Sequence, residues 1–251
     1  MRTVSNTIFI GKILHSLENI PSTNAWLQEF INTHEAVEGM AVIAANQNAG
    51  KGQQGNKWES EAGKNLLVSI LLKPAFMEVK SLFFLNKAIA LAVMETISRF
   101  THNKVWIKWP NDILIEKNKV AGILIETGIQ GNRIKNCIVG VGANVNQMHF
   151  KDLPNATSLA ISENTEFVLQ DIFDELCMQI EKYYFKLRQN KLEEVDALYH
   201  SSLYRKNVLT QFKTENHFFE GIITGVNNEG KLIISVNGSE QKFSVKEIIF
   251  L

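Results

Sequence analysis

The 251 residues make one large domain, or one domain with a small companion, long enough to bury a sizeable core. The composition, 45% hydrophobic and 21% charged, is that of an ordinary soluble globular protein and excludes fibrous and low-complexity classes. Lys and Arg total 26 against 26 Asp and Glu, so no global charge draws the chain to nucleic acid or an acidic membrane, and only a local basic patch stays open.

In chain order, residues 1–21 read as an irregular or short-strand lead-in. Ser22-Thr23-Asn24 offers N-cap chemistry ahead of Trp26, Leu27, Phe30 and Ile31 at helical spacing, and capping alone would account for it. Residues 41–44 form a short buried strand and 66–72 a second, almost continuously apolar one. A long helix over 81–100 is apolar around most of its circumference and should be buried. Residues 104–108 are a strand broken by Pro110. A meander follows, with strands at 113–116, 119–127 and 133–141. An amphipathic helix spans 167–189, and a shorter one lies near 191–201. From about 205 the character changes to short strands, at 208–212, 217–226, 231–236 and 242–249. Asn237-Gly238 marks a hairpin turn, and this tail reads as a small antiparallel barrel of SH3 or OB type. No stretch approaches a membrane span or an export signal. Cys137 and Cys177 sit in apolar patterns as buried inert thiols, and the six histidines show no zinc spacing. The expectation is a cytoplasmic protein.

Four stretches carry chemistry. In Gln47–Trp58, Gly50, Gly52 and Gly55 alternate with Lys51 and Lys57, and successive N–H groups of such a loop can form an anion-binding concavity. The run lacks the GK[ST] of a Walker loop and the helix of a Rossmann fingerprint, and a glycine-rich surface turn is the competing reading. Lys108-Trp109-Pro110-Asn111-Asp112 holds a cation, an indole, an amide and a carboxylate in a stiff arrangement between strands, since proline fixes its own φ and forces the preceding residue extended. A plain β-turn is the alternative. In Lys119–Glu126, Gly122 marks close backbone approach within a strand. In Gly140–Asn146, small residues and two amides suit a flat polar heterocycle.

The order and spacing of these motifs resemble the biotin protein ligase family, also called biotin–[acetyl-CoA-carboxylase] ligases. Its members carry Ser-Thr-Asn, a GRGRRGRxW-like loop, KWPND, KxAGIL and GxGxNVN, and the motifs here cover residues from about 22 to 160. The resemblance implies an α/β (α+β) fold. A mixed, largely antiparallel sheet flanked by helices would form a class II synthetase or biotin-lipoate ligase-like catalytic unit over residues 1–202, and a small SH3-like β-barrel would follow over 203–251. It implies that biotin and ATP, with Mg²⁺, give biotinyl-5′-AMP, which a lysine of a biotin carboxyl carrier protein then attacks. Bringing two anions together costs roughly 4 kcal/mol per unit-charge pair at 4 Å in a medium of effective dielectric 20, and the loop amides with Lys51 and Lys119 would offset that.

By the same resemblance, Lys119, Asp112 and Lys51 are the catalytic residues. Lys119 bridges the biotin carboxylate and the α-phosphate, and Asp112 orients the incoming lysine amine or accepts its proton and is available to help hold Mg²⁺. Ser22, Thr23, Asn24, Gln47, Gly50, Lys51, Trp58, Lys119, Gly122, Leu124, Gly140 and Gly142 bind biotin. Lys51, Gly52, Gln53, Gln54, Gly55, Trp58, Lys108, Asn111, Asp112, Lys119 and Asn144 bind ATP, with Asn144 on the adenine side. Lipoate–protein ligase chemistry is the nearest rival, disfavoured by the polar set Ser22, Thr23 and Gln47. A single-strand-binding barrel is a distant one, because the tail's alternation turns most of its phenylalanines to the core. Only 21 residues precede Ser22, fewer than the winged helix-turn-helix of some members needs, so no specific DNA binding is expected. Monomer and homodimer both stay open.

The loop departs from the family pattern at Lys51, Gln53, Gln54 and Asn56, where arginines are usual, which lowers its charge and removes bidentate forks. It should close less firmly over the adenylate. Gln53→Arg is expected to slow dissociation of the intermediate, measured by single-turnover release, and an unchanged rate would count against this reading of the loop.

Overall fold

The computed structural model describes residues 1–215 and 217–251, with the Gln54 side chain outside the description. The first sheet has seven strands: β1 (Leu14–Ile20), β2 (Ala41–Gln47), β3 (Leu66–Leu72), β4 (Val105–Lys108), β5 (Asp112–Ile115), β6 (Asn118–Gln130) and β7 (Arg133–Ala143). Their order is β1-β2-β3-β7-β6-β5-β4. Only β1 and β2 pair parallel, so the sheet is mixed and largely antiparallel. Helix α1 (Thr23–Thr33) lies on one face. Helices α2 (Leu82–Ser98) and α4 (Leu169–Arg188) lie on the other, with α5 (Leu192–Ser201) against α2. A short helix α3 (Leu159–Glu163) follows β7.

This layering explains the uninterrupted apolar run of β3. Leu66, Val68, Ile70 and Leu72 enter the large core beneath α2 and α4, while Leu71 enters a smaller core with Leu27 and Ile138 beneath α1. A strand covered on both faces cannot alternate in polarity. The run Val79–Ser98, with a mean hydropathy of 1.4, is long and apolar enough to cross a membrane by length and composition, contrary to the sequence expectation. Ten residues of α2 are buried, and its apolar surface is covered by the sheet and the neighbouring helices.

The second sheet contains β8 (Leu209–Lys213), β9 (Phe218–Val226), β10 (Leu232–Val236), β11 (Ser239–Phe243) and β12 (Ile249–Phe250), in the order β11-β10-β9-β8-β12. Asn237 and Gly238, both at positive φ, make the expected hairpin turn. The single strand expected over 242–249 is not formed. The chain turns after Phe243, with Ser244 N–H donating to the Glu247 carboxylate, and β12 pairs with β8 at the opposite edge. Strand β1 takes the short-strand alternative for the lead-in, and helix α3 exceeds the sequence reading. Burial raises the Cys137 thiol to about 11, only weakly opposed by Thr127, and raises Cys177 as well, in keeping with inert thiols.

The N-terminal segment is fastened by one buried carboxylate. Glu181 of α4 accepts from the backbone N–H groups of Ile8, Phe9 and Ile10 at 2.8–3.2 Å. Glu181→Ala would strip those donors of their acceptor, and unfolding in urea should show a loss of about 2–3 kcal/mol. A midpoint equal to wild type would mean that the segment's other contacts, among them those of Arg2 with Gln170 and Asp174, suffice to hold it.

Candidate active site

The register of β6 and β7 creates the floor of the site. Gly122 sits opposite Gly142, Leu124 opposite Gly140, and on the far side Ser69 of β3 also faces Gly140. Side chains of a strand alternate with a period of two, so all these positions share the face toward α1. Three of the five are glycine, and the space they leave is taken by side chains arriving from elsewhere. The Trp58 indole lies over Gly122 and Gly142, where added Cβ atoms would stand 2.9 and 2.5 Å from the ring. The Asn24 amide fills the place of a Gly140 side chain.

At the closed end, polar groups form one network. Thr23 donates from both its N–H (2.7 Å) and its hydroxyl (3.0 Å) to Gln47 Oε1. Gln47 thus uses its carbonyl within the network while lining the cavity. Ser69 Oγ lies 2.7 Å from Thr23 Oγ1 and 2.5 Å from Asn24 Oδ1, two acceptors for a single hydroxyl hydrogen. Asn24 Nδ2 donates to Glu126 Oε2 at 2.7 Å. Ser22 occupies the N-cap position of α1 but makes no side-chain cap bond, so capping is not its role here.

The glycine loop is more closed than the anion-cradle reading expects. Gly52 N–H donates to the Asn56 carbonyl (2.7 Å), Asn56 N–H to Gln53 (3.3 Å) and Trp58 N–H to Gly50 (3.0 Å), so the loop pairs with itself as a small hairpin. Those three amides are not presented to an anion. Positive charge comes instead from side chains. The residues lining a cavity of about 390 Å³ include Lys51, Lys57, Lys108, Lys119 and Lys246 against one carboxylate, Asp112. Lys119 Nζ bonds Asp112 Oδ1 at 2.6 Å and stands 5.5 Å from the Trp58 ring centroid. Burial lowers the pKa of Lys108; Asp112 opposes the shift, while Lys119 and Arg205 reinforce it.

The Trp109–Pro110 bond is cis. Asn111 donates from Nδ2 to the Ile123 carbonyl (2.8 Å) and accepts the Ile123 N–H at its own carbonyl (3.0 Å), clamping the KWPND segment to β6.

Among the residues expected from sequence, Ser22, Thr23, Asn24, Gln47, Lys51, Gly52, Gln53, Trp58, Lys108, Asn111, Asp112, Lys119, Gly122, Leu124, Gly140 and Gly142 line this one cavity. Gly50 and Gly55 line neither it nor its neighbour. Gly50 is buried where a Cβ would meet the Trp58 carbonyl, and Gly55 is an exposed turn residue with φ +85°. The Gln54 side chain lies outside the described residues. Asn144 lines only an adjoining cavity of about 500 Å³, which shares Lys57, Trp58, Lys108, Asp112, Lys119 and Phe250 with the first. There its Nδ2 donates to Thr157, and its Oδ1 is buried with no partner among the described residues.

Sequence reasoning missed Ser69, although a lone hydroxyl in an apolar run was a visible signal. It also missed Val245, Lys246, Ile248, Ile249 and Phe250 at the end of the chain, which line the cavity and carry no motif.

Comparison with known proteins agrees with this arrangement. The family model for biotin/lipoate A/B protein ligases matches residues 16–144. The chain is similar to the bifunctional ligase/repressor BirA of Bacillus subtilis, 29% identical over 96% of this chain and 75% of that one. It is also similar to the biotin–[acetyl-CoA-carboxylase] ligase of Mycobacterium tuberculosis, 32% identical over 55% of this chain and 51% of that one. Its fold matches biotin protein ligase from Aquifex aeolicus in complex with biotin and ATP, with a TM-score of 0.79, 25% identity, and coverage of 96% of this chain and 99% of that one. A site built on a glycine floor, with a polar closed end and a lysine-rich mouth, thus sits in a chain that belongs to the biotin/lipoate A/B protein ligase family.

Proposed function

We propose that this protein is an ATP-dependent biotin protein ligase that forms biotinyl-5′-AMP and transfers the biotinyl group to a lysine of a biotin carboxyl carrier protein. The observation that carries the reading is the Lys119–Asp112 pair at the junction of two cavities, one with a polar closed end and the other bearing Asn144.

The ureido ring would meet Ser22, Thr23 and the Gln47 amide, and the apolar chain would lie against Leu124 and the Trp58 face. Lys119 then stands where the biotin carboxylate meets the α-phosphate. As a carboxylate oxygen attacks phosphorus, the bond to pyrophosphate breaks, and the charge gathering on the phosphoryl oxygens is met by Lys119, with Lys51 and Lys108 near. In the second step the carrier amine attacks the acyl carbon, AMP departs, and Asp112 is placed to orient the amine or take its proton. Asn144 Oδ1 is an acceptor fit for the exocyclic amine of adenine. Gln54 is assigned to the nucleotide by motif alone, and Gly50 and Gly55 act by shaping the loop rather than by touching ligand.

Among the described residues, Asp112 is the only carboxylate lining the first cavity, and no group of three His, Cys, Asp or Glu able to hold a metal occurs. Mg²⁺ therefore fits as part of the MgATP substrate, held mostly by phosphate and water oxygens. We take residues 1–202 as the catalytic unit and 203–251 as the SH3-like one, and place the protein in the cytoplasm, where its two free cysteines are at home.

Lipoate is the competing substrate within the family. Its dithiolane has no ureido donors or acceptors, so the Ser69–Thr23–Gln47 network favours biotin. Mass spectrometry of the protein with MgATP and equimolar biotin and lipoate should show biotinyl-adenylate, reduced about 100-fold or more by Lys119→Ala. A lipoyl-adenylate peak would overturn the substrate and leave the mechanism. Ser69→Ala, which unties Thr23 and Asn24, should weaken biotin binding about fivefold to tenfold by calorimetry without changing MgATP affinity. Equal affinity for biotin in that variant would remove Ser69 from the recognition network.

A further inference from the structure

The second sheet shares the large core with the first, Ile107 of β4 exchanges backbone bonds with Ser202 and Tyr204 just ahead of it, and a further tie gathers at one short turn. The turn at residues 227–230, between β9 and β10, is held from three directions. Trp109 Nε1 donates to the Gly230 carbonyl at 2.8 Å. The Phe83 ring of α2 lies so close to Gly230 that a Cβ there would stand 2.7 Å from it. His200 Nε2 of α5 lies 3.0 Å from the Val226 nitrogen and 3.1 Å from the Val226 carbonyl, so either charge state of the imidazole finds a partner. Behind it, Asp196 contacts His200 with one oxygen and the buried Lys87 with the other.

Trp109 is 4% exposed, lines the first cavity itself, and stands in the sequence between Lys108 and Asp112, which line both cavities. The same second sheet and the turn before its last strand send Val245, Lys246, Ile248, Ile249 and Phe250 to the lining of the first cavity. One indole N–H therefore joins the peptide that carries Lys108 and Asp112 to the sheet that carries this part of the lining. The polar residues Ser22, Thr23 and Gln47 belong to α1, its cap and β2, which that turn does not contact through any of these three ties.

We propose that Trp109 is a positioning residue for the nucleotide. By tying the turn at 227–230 to the KWPND segment, it sets the width of the cleft in which the phosphates lie, and it leaves the biotin end unaffected. This rests on the ligase reading above and names the substrate whose binding the second sheet controls.

Two replacements test it. Trp109→Phe keeps an aromatic ring and deletes the donor, and benzothienylalanine at position 109 keeps the bicyclic shape and removes only the N–H. By calorimetry either should raise the Kd for MgATP about fivefold to tenfold, the scale of one lost hydrogen bond, with the Kd for biotin unchanged. In turnover, the change should fall on KM for MgATP more than on kcat. Should Trp109→Phe fail to fold, the isosteric replacement decides the matter. If biotin and MgATP affinities fall together, Trp109 merely holds the fold and the proposal is wrong, and an unaltered Kd for MgATP overturns it equally. Wild-type protein that binds neither biotin nor MgATP would sink the ligase reading itself, an outcome distinct from a wild type that binds both and a variant that matches it.

Discussion

The pairing of β6 with β7 is the constraint on which the site depends. Because Gly122 faces Gly142 and Leu124 faces Gly140, one stretch of the sheet has almost no side chains on the α1 face. A one-residue slip would turn these glycines into the core and send Ile123, Val139 and Val141 into the cavity. The register is protected by those aliphatic residues, which are buried beneath α2 and α4. The large core therefore does more than stabilise the chain, because it determines which face is bare.

What covers the bare face comes from three separate parts of the chain. Asn24 from the start of α1 takes the space over Gly140, and Trp58 from the end of the loop takes the space over Gly122 and Gly142. Val245, Lys246, Ile248, Ile249 and Phe250 at the end of the chain add to the lining. The cavity is thus an assembly of parts brought from distant segments, with α1 packed on the smaller core and the second sheet on the larger one.

The charge at the mouth follows a different logic. A chain with zero net charge places five lysines and one aspartate around a single cavity. Such a field gathers anionic substrates and opposes the repulsion between a carboxylate and a triphosphate. Lysine supplies it as point charges rather than forked guanidinium groups, which would suit the proposed succession of carboxylate, phosphates and departing AMP. Pairing Lys119 with Asp112 keeps the central cation oriented and partly neutralised before substrates enter.

Much of this was legible in the sequence. Periodicity located α2, α4 and the β5–β7 meander because each buries a stripe whose spacing its geometry dictates. The four motifs located most of the cavity, since glycine, proline and paired charges report directly on close approach, stiffness and anion binding. Tertiary structure decided the rest. The self-pairing of the glycine loop depends on Trp58 finding its seat over glycines more than sixty residues away. The role of Ser69 depends on which residues stand opposite it across the sheet. The break between β11 and β12, and the bond from Trp109 to Gly230, depend on where the second sheet docks. Sequence by itself determined the chemical groups and the local elements that carry them. Only the fold determined which groups meet, because meeting is set by register and docking between segments far apart in the chain, and neither leaves a periodic mark.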